Sequence, residues 1–273
     1  MPTSVRTALR YLVLVVIAVI VLFPIYITLV NALLPGQDIA KRPPTLFPLH
    51  PLWSSFSQAW TDGSLGPYLR TSAIVSIATT LAALATSILA AYAFAFLEFP
   101  LKRVLFALCL ATLMVPAEVT IIPNYRTIQL FGWYDTYPAL IVPFVASGIG
   151  IFLFRQSFRQ LPRDLRDAAV LDGYGHWRFL GRVVLPLNRP MVGAFAIFAF
   201  LGSWNQYLWP LLVTNTNARR TVQVGLKQLE GLNADQQNII FAGTILAALP
   251  IFVLLLLFQR QLVRGLTAGA VKG

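Results

Sequence analysis

The side chains best placed to do chemistry lie in one polar stretch, LPRDLRDAAVLDGYGHWRFLGRVVLPLNRP, from Leu161 to Pro190, where Asp167 and Asp172 are interleaved with arginines. Strong helix formers run from Arg163 to Asp172, and Leu165, Ala168, Ala169 and Asp172 recur at the three- and four-residue spacing of one helical face. Gly173 supplies a left-handed stop at low cost. Beyond it, Phe179, Leu180, Val183 and Val184 form an apolar stripe. Arg178 and Arg182 lie one turn apart on another face, and Pro186 and Pro190 end the pattern. The spacing predicts two short helical arms joined at Gly173. Asp172 falls at the negative end of the first arm, an unfavourable placement costing from a few tenths to about 1 kcal/mol. A local violation of this kind often marks a group that serves something outside its own segment. The chemistry open to these groups is therefore charge-assisted contact. From periodicity alone it is directed either to such an external group or to anionic lipid, with the hairpin lying on the membrane surface.

The elements that hold this stretch are set by composition. Of the 273 residues 57% are hydrophobic and 11% charged, and the mean hydropathy is +0.71, which places the chain among polytopic membrane proteins. Six apolar stretches, at about 11–33, 70–97, 104–124, 138–158, 191–213 and 237–259, are long enough to cross a hydrocarbon core of roughly 30 Å. The first follows Arg6 and Arg10 like a signal peptide, but its apolar run is too long and lacks a small-residue cleavage site, so a retained helix is expected. Six spans put both termini on one side. Arg6, Arg10, Lys102, Arg103, the seven arginines from Arg155 to Arg189, Arg260, Arg264 and Lys272, fourteen of the 21 basic residues, fall on that side and make it cytoplasmic. The expected fold is all-α, with six transmembrane helices, N-in and C-in, in a single domain over 1–273. The polar loop at about 159–190 is then cytoplasmic, and loops at about 34–69 and 214–236 are outer. The net charge of +11 reflects orientation rather than nucleic-acid binding, because the basic residues are spread over short loops.

Within the membrane the candidates are few. Glu118 follows Pro116 near the outer end of the third span, where the helix should kink. An ionisable group at this depth either lines a pathway or is solvated at the surface. Trp204-Asn205-Gln206-Tyr207 interrupts the fifth span, and buried amides need partners or water. Asn205 and Gln206 should face the bundle interior, either as an interhelical hydrogen bond or along a pathway. The second span is rich in alanine, serine and threonine and suits close helix packing, and Ser147, Gly148 and Gly150 allow tight crossing or bending in the fourth. The first outer loop should hold a short interfacial helix with Trp53 and Trp60 at headgroup level. Cys109 is a packing residue, one cysteine permits no disulfide, and His50 and His176 lie on opposite sides and cannot share a metal. The tail GLTAGAVKG has neither Walker spacing nor a Ser/Thr after Lys272 and is not a phosphate loop.

Asp167-Ala168-Ala169, Asp172-Gly173 and Leu185-Pro186-Leu187 stand in the order and spacing of the cytoplasmic loop of binding-protein-dependent ABC importer permeases, which reads Glu-Ala-Ala, then Gly, then Leu-Pro. The chain resembles that family, in particular its carbohydrate-uptake, maltose and glycerol-3-phosphate type. Asp167 replaces the usual Glu, keeping the charge on a shorter stem, and Tyr174 stands where Ala commonly follows the glycine. The resemblance implies a type I importer permease fold and a hairpin whose coupling contacts with an ATPase come from Asp167, Ala168, Ala169, Asp172, Gly173, Leu185 and Pro186. It implies a second permease subunit, an ATPase dimer carrying ATP and Mg, an extracytoplasmic solute-binding protein that the 214–238 loop would meet, surrounding membrane lipid, and a place in the bacterial inner membrane. The tail resembles those of carbohydrate-type permeases as well. Met114-Val115-Pro116-Ala117-Glu118-Val119 and Trp204-Asn205-Gln206-Tyr207-Leu208-Trp209-Pro210 resemble the glycerol-3-phosphate branch, while Trp-Asn in this place also resembles sugar permeases; both solutes remain open. No catalytic residue, cofactor or metal is expected on the chain. The reading from another class, an intramembrane lipid-modifying enzyme built on Glu118 or the arginine-rich loop, needs clustered His, Asp or Glu at membrane depth, and the sequence offers essentially one such residue. A stand-alone carrier would show inverted repeats, and none is evident.

Overall fold

A computed structural model describes residues 3–232 and 236–267. Among the described residues the regular structure is entirely helical. The chain forms two compact units, Met1–Pro67 with Val224–Pro250 and Tyr68–Gln223 with Ile251–Gly273.

The first unit opens with α1, Thr3–Leu33. Its stretch Leu9–Leu33 is exposed along most of its length, with burial confined to Val30, Ala32 and Leu33 at its end, and at about 1.5 Å per residue it is long enough to cross a membrane. Such an all-round apolar surface requires lipid rather than water as solvent. After α2, Gly36–Ile39, comes α3, Ser54–Thr61, the expected short helix of the first loop, with Trp53 and Trp60 exposed. Ala32, Ala59, Ile239 and Ala242 make this unit's small core, and a buried hydrogen bond from Asn238 Nδ2 to Ser55 Oγ at 2.8 Å accompanies it.

Helix α4, Leu65–Phe96, is the second long span. The third expected span is not one helix. α5, Lys102–Ala111, passes through a 3-10 turn, Thr112–Met114, and breaks at Val115-Pro116; α6, Ala117–Leu130, leaves at 101°. Proline at 116 cannot donate and pushes Val115 to an extended conformation, φ −83° and ψ 118°, which is a stop rather than a kink. The fourth span is likewise a pair, bent by 44° at Ser147: α7, Tyr137–Ile141, continued by the 3-10 turn Val142–Phe144, and α8, Gly148–Arg159. Ser147 caps α8 by accepting from the Gly150 N–H at 3.1 Å, so the small residues serve both the bend and the cap.

The polar hairpin follows as α9, Arg163–Leu171, then α10, His176–Phe179, a π-helical stretch Leu180–Val184, and α11, Leu185–Leu187. Pro186 does not end the second arm, contrary to the sequence expectation. Its missing N–H and bulky ring are absorbed where the preceding turn is widened to π geometry, and the chain turns only at Asn188. Pro190 then sits in the first turn of α12, Arg189–Trp204, where proline is tolerated. The pair His176–Leu187 and Arg189–Trp204 is bent by 81°. α12 ends at Trp204, so the fifth apolar stretch is not continuous to 213; α13, Leu208–Val213, is a separate short helix. The loop after it is more ordered than a polar loop need be, holding α14, Val222–Leu232, with Val222, Val224 and Leu229 buried. α15, Gln237–Thr267, contains the third long span, Gln237–Gln259. The tail from Ala268 to Gly273, with Lys272, lies outside the described residues.

Candidate functional site

The hairpin is closed by backbone hydrogen bonds that its sequence makes possible. Gly173 adopts φ +72°, and with Asp172 as cap the Gly173 N–H donates to Val170 at 3.0 Å and the Tyr174 N–H to Ala169 at 2.8 Å. These are the two bonds of a Schellman motif, which satisfy carbonyls the helix end leaves open. The accompanying apolar contact is present too, since Ala169 is buried and Tyr174 packs against the same cluster. Arg178 lies 4.8 Å above the Tyr174 ring, a cation–π contact across the turn.

The second arm is the anchored one. Phe179, Leu180 and Val184 are buried with Phe154, Phe158, Tyr92 and Phe195, while Arg178 and Arg182 are exposed, as the stripe predicts. Burial of each large apolar side chain stabilises the arm by on the order of 2 kcal/mol. The rings of Phe96 and Phe179 meet edge to face with centroids 5.4 Å apart, and Tyr92 Oη lies 3.0 Å from His176 Nδ1. At the far end the buried Asn188 bridges elements, its Nδ2 donating to the Val184 carbonyl at 2.7 Å and its Oδ1 accepting from Ser157 Oγ. Leu185 and Pro186 are half-buried beside a small cavity that Gly181 and Val192 also line.

The first arm is held by Ala169. Of the face expected to pack, Leu165 and Ala168 are exposed and Ala169 is buried. Asp167 and Asp172 are both exposed, five residues apart and hence about 140° apart around the helix axis; Asp167 lines a cavity while Asp172 caps the helix. The structure does not bring these two carboxylates onto one face. What it does expose at the hairpin's end are Val170 (63%), Leu171 (88%) and Trp177 (76%). Sequence reading missed these three because they fall off the Leu165-Ala168-Ala169 stripe; the available signal was an apolar pair and a tryptophan flanking a polar turn.

The candidates that the sequence places within the membrane lie on elements other than the hairpin. Glu118 is exposed in the first turn of α6, a position favourable for a carboxylate. Trp204 is 2% exposed and stacks on Phe200 at 5.5 Å, its Nε1 without a hydrogen-bond partner. Asn205 caps α12 and is exposed, accepting at 3.4 Å from Gln223 Nε2, and Gln206 is half-buried. The expectation that both amides face the interior of the chain's own bundle fails for Asn205, because the helix ends there. No hydrogen bond joins Glu118 to Trp204, Asn205 or Gln206 among the described residues. No cluster of three or more His, Cys, Asp or Glu suited to a metal occurs among them either.

A helical chain of broken spans with a stapled, anchored hairpin between two of them is the form of a transporter subunit. Residues 83–268 match the family described as binding-protein-dependent transport system inner membrane component, and the chain belongs to that family. It is an inner-membrane permease and not an enzyme. Similar along nearly its whole length are the sn-glycerol-3-phosphate transport system permease proteins UgpE of Yersinia pestis bv. Antiqua, 36% identical over 264 residues and 94% of each chain, and of Pectobacterium atrosepticum, 38% identical over 254 residues and 90% of each. That of Rhizobium meliloti is 36% identical over 265 residues, 94% of each. Among solved structures, a chain of a bacterial ABC transporter involved in the import of the acidic polysaccharide alginate superposes with a TM-score of 0.82 at 18% identity, covering 94% of this chain and 96% of that one, which is a likeness of fold.

Proposed function

We propose that this chain is one of two homologous permease subunits of an ABC importer for a carbohydrate-type solute, acting as a single domain that forms half of the translocation pathway. Its partners are a second permease, an ATPase dimer that carries ATP and Mg, and an extracytoplasmic solute-binding protein. The three long helices and three bent pairs serve as six spans, with both termini and the hairpin cytoplasmic. The observation that carries the reading is the hairpin itself, its second arm anchored in an aromatic core and its stapled turn flanked by the uncovered Val170, Leu171 and Trp177. Apolar side chains of this size beside an exposed carboxylate, Asp172, fit a protein cleft better than water. Asp167, Ala168, Ala169, Asp172, Gly173, Leu185 and Pro186 are the coupling residues in this reading, and the exposed trio extends them. Closure of the ATPase dimer moves the hairpin as a rigid handle, and a bias of a few kcal/mol suffices to exchange inward- and outward-facing bundles.

Pathway contacts fall to Glu118, Trp204, Asn205 and Gln206. Asn205 is exposed beyond the end of α12, where it can meet the second permease or the solute. Because the similar permeases are named for sn-glycerol-3-phosphate, that solute is the first to test. The experiment is uptake of labelled sn-glycerol-3-phosphate and of neutral di- and trisaccharides by cells carrying or lacking this gene. Uptake of one of them lost with the gene and restored by it supports the reading. A complex purified through this chain that contains no ATPase subunit would remove it.

A further inference from the structure

At the end of the bundle that carries the hairpin, the last turns of α4 and α8 and the first turns of α5 and α9 enclose a cavity of about 860 Å³. Lys102, Arg103, Arg155, Arg159, Arg163 and Arg166 line it, against the carboxylates Glu98 and Asp167, an excess of four positive charges. Two of the cations are engaged. Lys102 Nζ pairs with Glu98 at 3.2 Å and donates to the Leu97 carbonyl at 2.6 Å, and Arg155 donates to the Phe94 carbonyl at 3.3 Å with its guanidinium 4.0 Å above the Phe106 ring. No carboxylate lies within ion-pair distance of Arg103, Arg159, Arg163 or Arg166 among the described residues. The same cavity is lined by the aromatic rings of Phe94, Phe106, Phe158 and Phe179.

Like charges gathered without counter-charge raise each other's energy, and three separate elements converge here to gather them: α5, α8 and α9. Arg155 and Arg159 stand one turn apart on α8, and Arg163 and Arg166 follow in the first turn of α9, so neither helix relieves the repulsion by itself. Planar guanidinium forks with free donors match phosphate oxygens in geometry as well as charge. We propose that this cavity binds a phosphate-bearing anion, and that the group filling it in the membrane is the headgroup of an anionic phospholipid from the adjoining leaflet. The aromatic lining gives such a ligand an apolar surface next to the cationic one, and basic pockets between helix ends are the usual receptacles of such headgroups. A headgroup held there bridges Arg103 of α5 and Arg159 of α8 to Arg163 and Arg166 of α9, and so ties the free arm of the hairpin to the bundle.

The test uses the intact importer complex in nanodiscs of phosphatidylcholine containing fluorescent phosphatidylglycerol or cardiolipin as probe, with inorganic phosphate as competitor. Arg103→Gln/Arg159→Gln is compared with Arg103→Lys/Arg159→Lys, which keeps the charge, and with Arg182→Gln, an exposed arginine outside the cavity. At roughly five-fold per cation lost, the double glutamine variant should bind the anionic lipid about 25-fold more weakly, with the lysine pair and Arg182→Gln within a few-fold of wild type. Co-purification of the ATPase subunits with each variant establishes that the complex is assembled. Displacement of the lipid by millimolar phosphate, itself bound in an arginine-dependent way, would keep the site and assign it to a soluble phosphate. Equal lipid affinity in wild type and the glutamine pair, with no bound phosphate, would overturn it. So would loss of the ATPase subunits from the glutamine pair with lipid binding unchanged, which would make the arginines a protein contact.

Discussion

The backbone N–H of Tyr174 donates to the carbonyl of Ala169 at 2.8 Å, and this bond folds the hairpin back on itself because Gly173 between them holds φ +72°. A side chain at 173 meets no atom within 4 Å, so the cost of a substitution there is backbone strain alone. For a β-branched residue that strain is about 1–2 kcal/mol, concentrated in one turn, whereas asparagine tolerates the left-handed region. Gly173→Val should therefore reduce uptake strongly while Gly173→Asn keeps most of it, with both proteins equally abundant in membranes by immunoblot. Undiminished uptake by the valine variant would mean that the turn geometry is not used in coupling.

The hairpin was legible in sequence because its signals are local: helix formers, a glycine stop and an apolar stripe that the structure buries as Phe179, Leu180 and Val184. The bend at Ser147 was legible for the same reason. The breaks elsewhere were not. Val115-Pro116 reads equally as a kinked span or a stop, and the difference of direction, 101°, depends on what α6 packs against. There Ile128 is buried with Ala139 and Leu140 and with Trp209 and Val213, the last two far away in sequence. The π stretch before Pro186 has no sequence signature of its own. Helix α14 was hidden because its charged face, with Lys227 and Glu230, made the whole segment read as polar loop.

Asp167 tests whether a shortened carboxylate serves the docking contact proposed for the hairpin. It is exposed and makes no ion pair within this chain among the described residues, so its substitution should leave folding intact. If it meets a charged or N–H donor on the ATPase, Asp167→Asn forfeits a charge-assisted hydrogen bond, roughly ten-fold or more in coupled activity, and Asp167→Glu retains it. The measurement is solute-stimulated ATP hydrolysis by the reconstituted complex. Equal stimulation in wild type and the asparagine variant would place the docking energy on Val170, Leu171 and Trp177 instead.

Gly150 marks a close helix approach. A Cβ at this position would lie 2.4 Å from Ser87 Oγ and 2.6 Å from Phe195 Cζ, both on buried side chains of neighbouring helices. Gly150→Ala should thus destabilise the protein by about 1–3 kcal/mol through overpacking, despite alanine's better helix propensity. Thermal unfolding in detergent reads the loss, and Phe195→Leu in the same chain should recover part of it, giving a non-additive pair. Additive losses would show that the ring of Phe195 is not what the methyl group strikes.

Asp135 gives the structure a pH-dependent clamp. Its carboxylate accepts from the backbone N–H groups of Asn215 at 2.9 Å and Thr216 at 3.2 Å, and its own N–H donates to Val213 at 2.9 Å, while Arg219 lies 4.3 Å over the ring of nearby Tyr137. Partial burial alone would raise the carboxyl's pKa, but the hydrogen bonds from Asn215 and Thr216 and the charge of Arg219 outweigh it and hold the group below its ordinary value. A carboxyl depressed in the folded state contributes stability that is complete above its unfolded pKa, near 3.9, and is lost as pH falls through the folded one. Amide hydrogen exchange at Asn215 and Thr216, corrected for intrinsic rates, should accordingly be slow from neutral pH down to about 4 and accelerate below it. In Asp135→Ala the acceptor is gone, so exchange should be fast and without that acid transition. Persistence of the transition in the alanine variant would assign it to another group and leave Asp135 a spectator of the loop it touches.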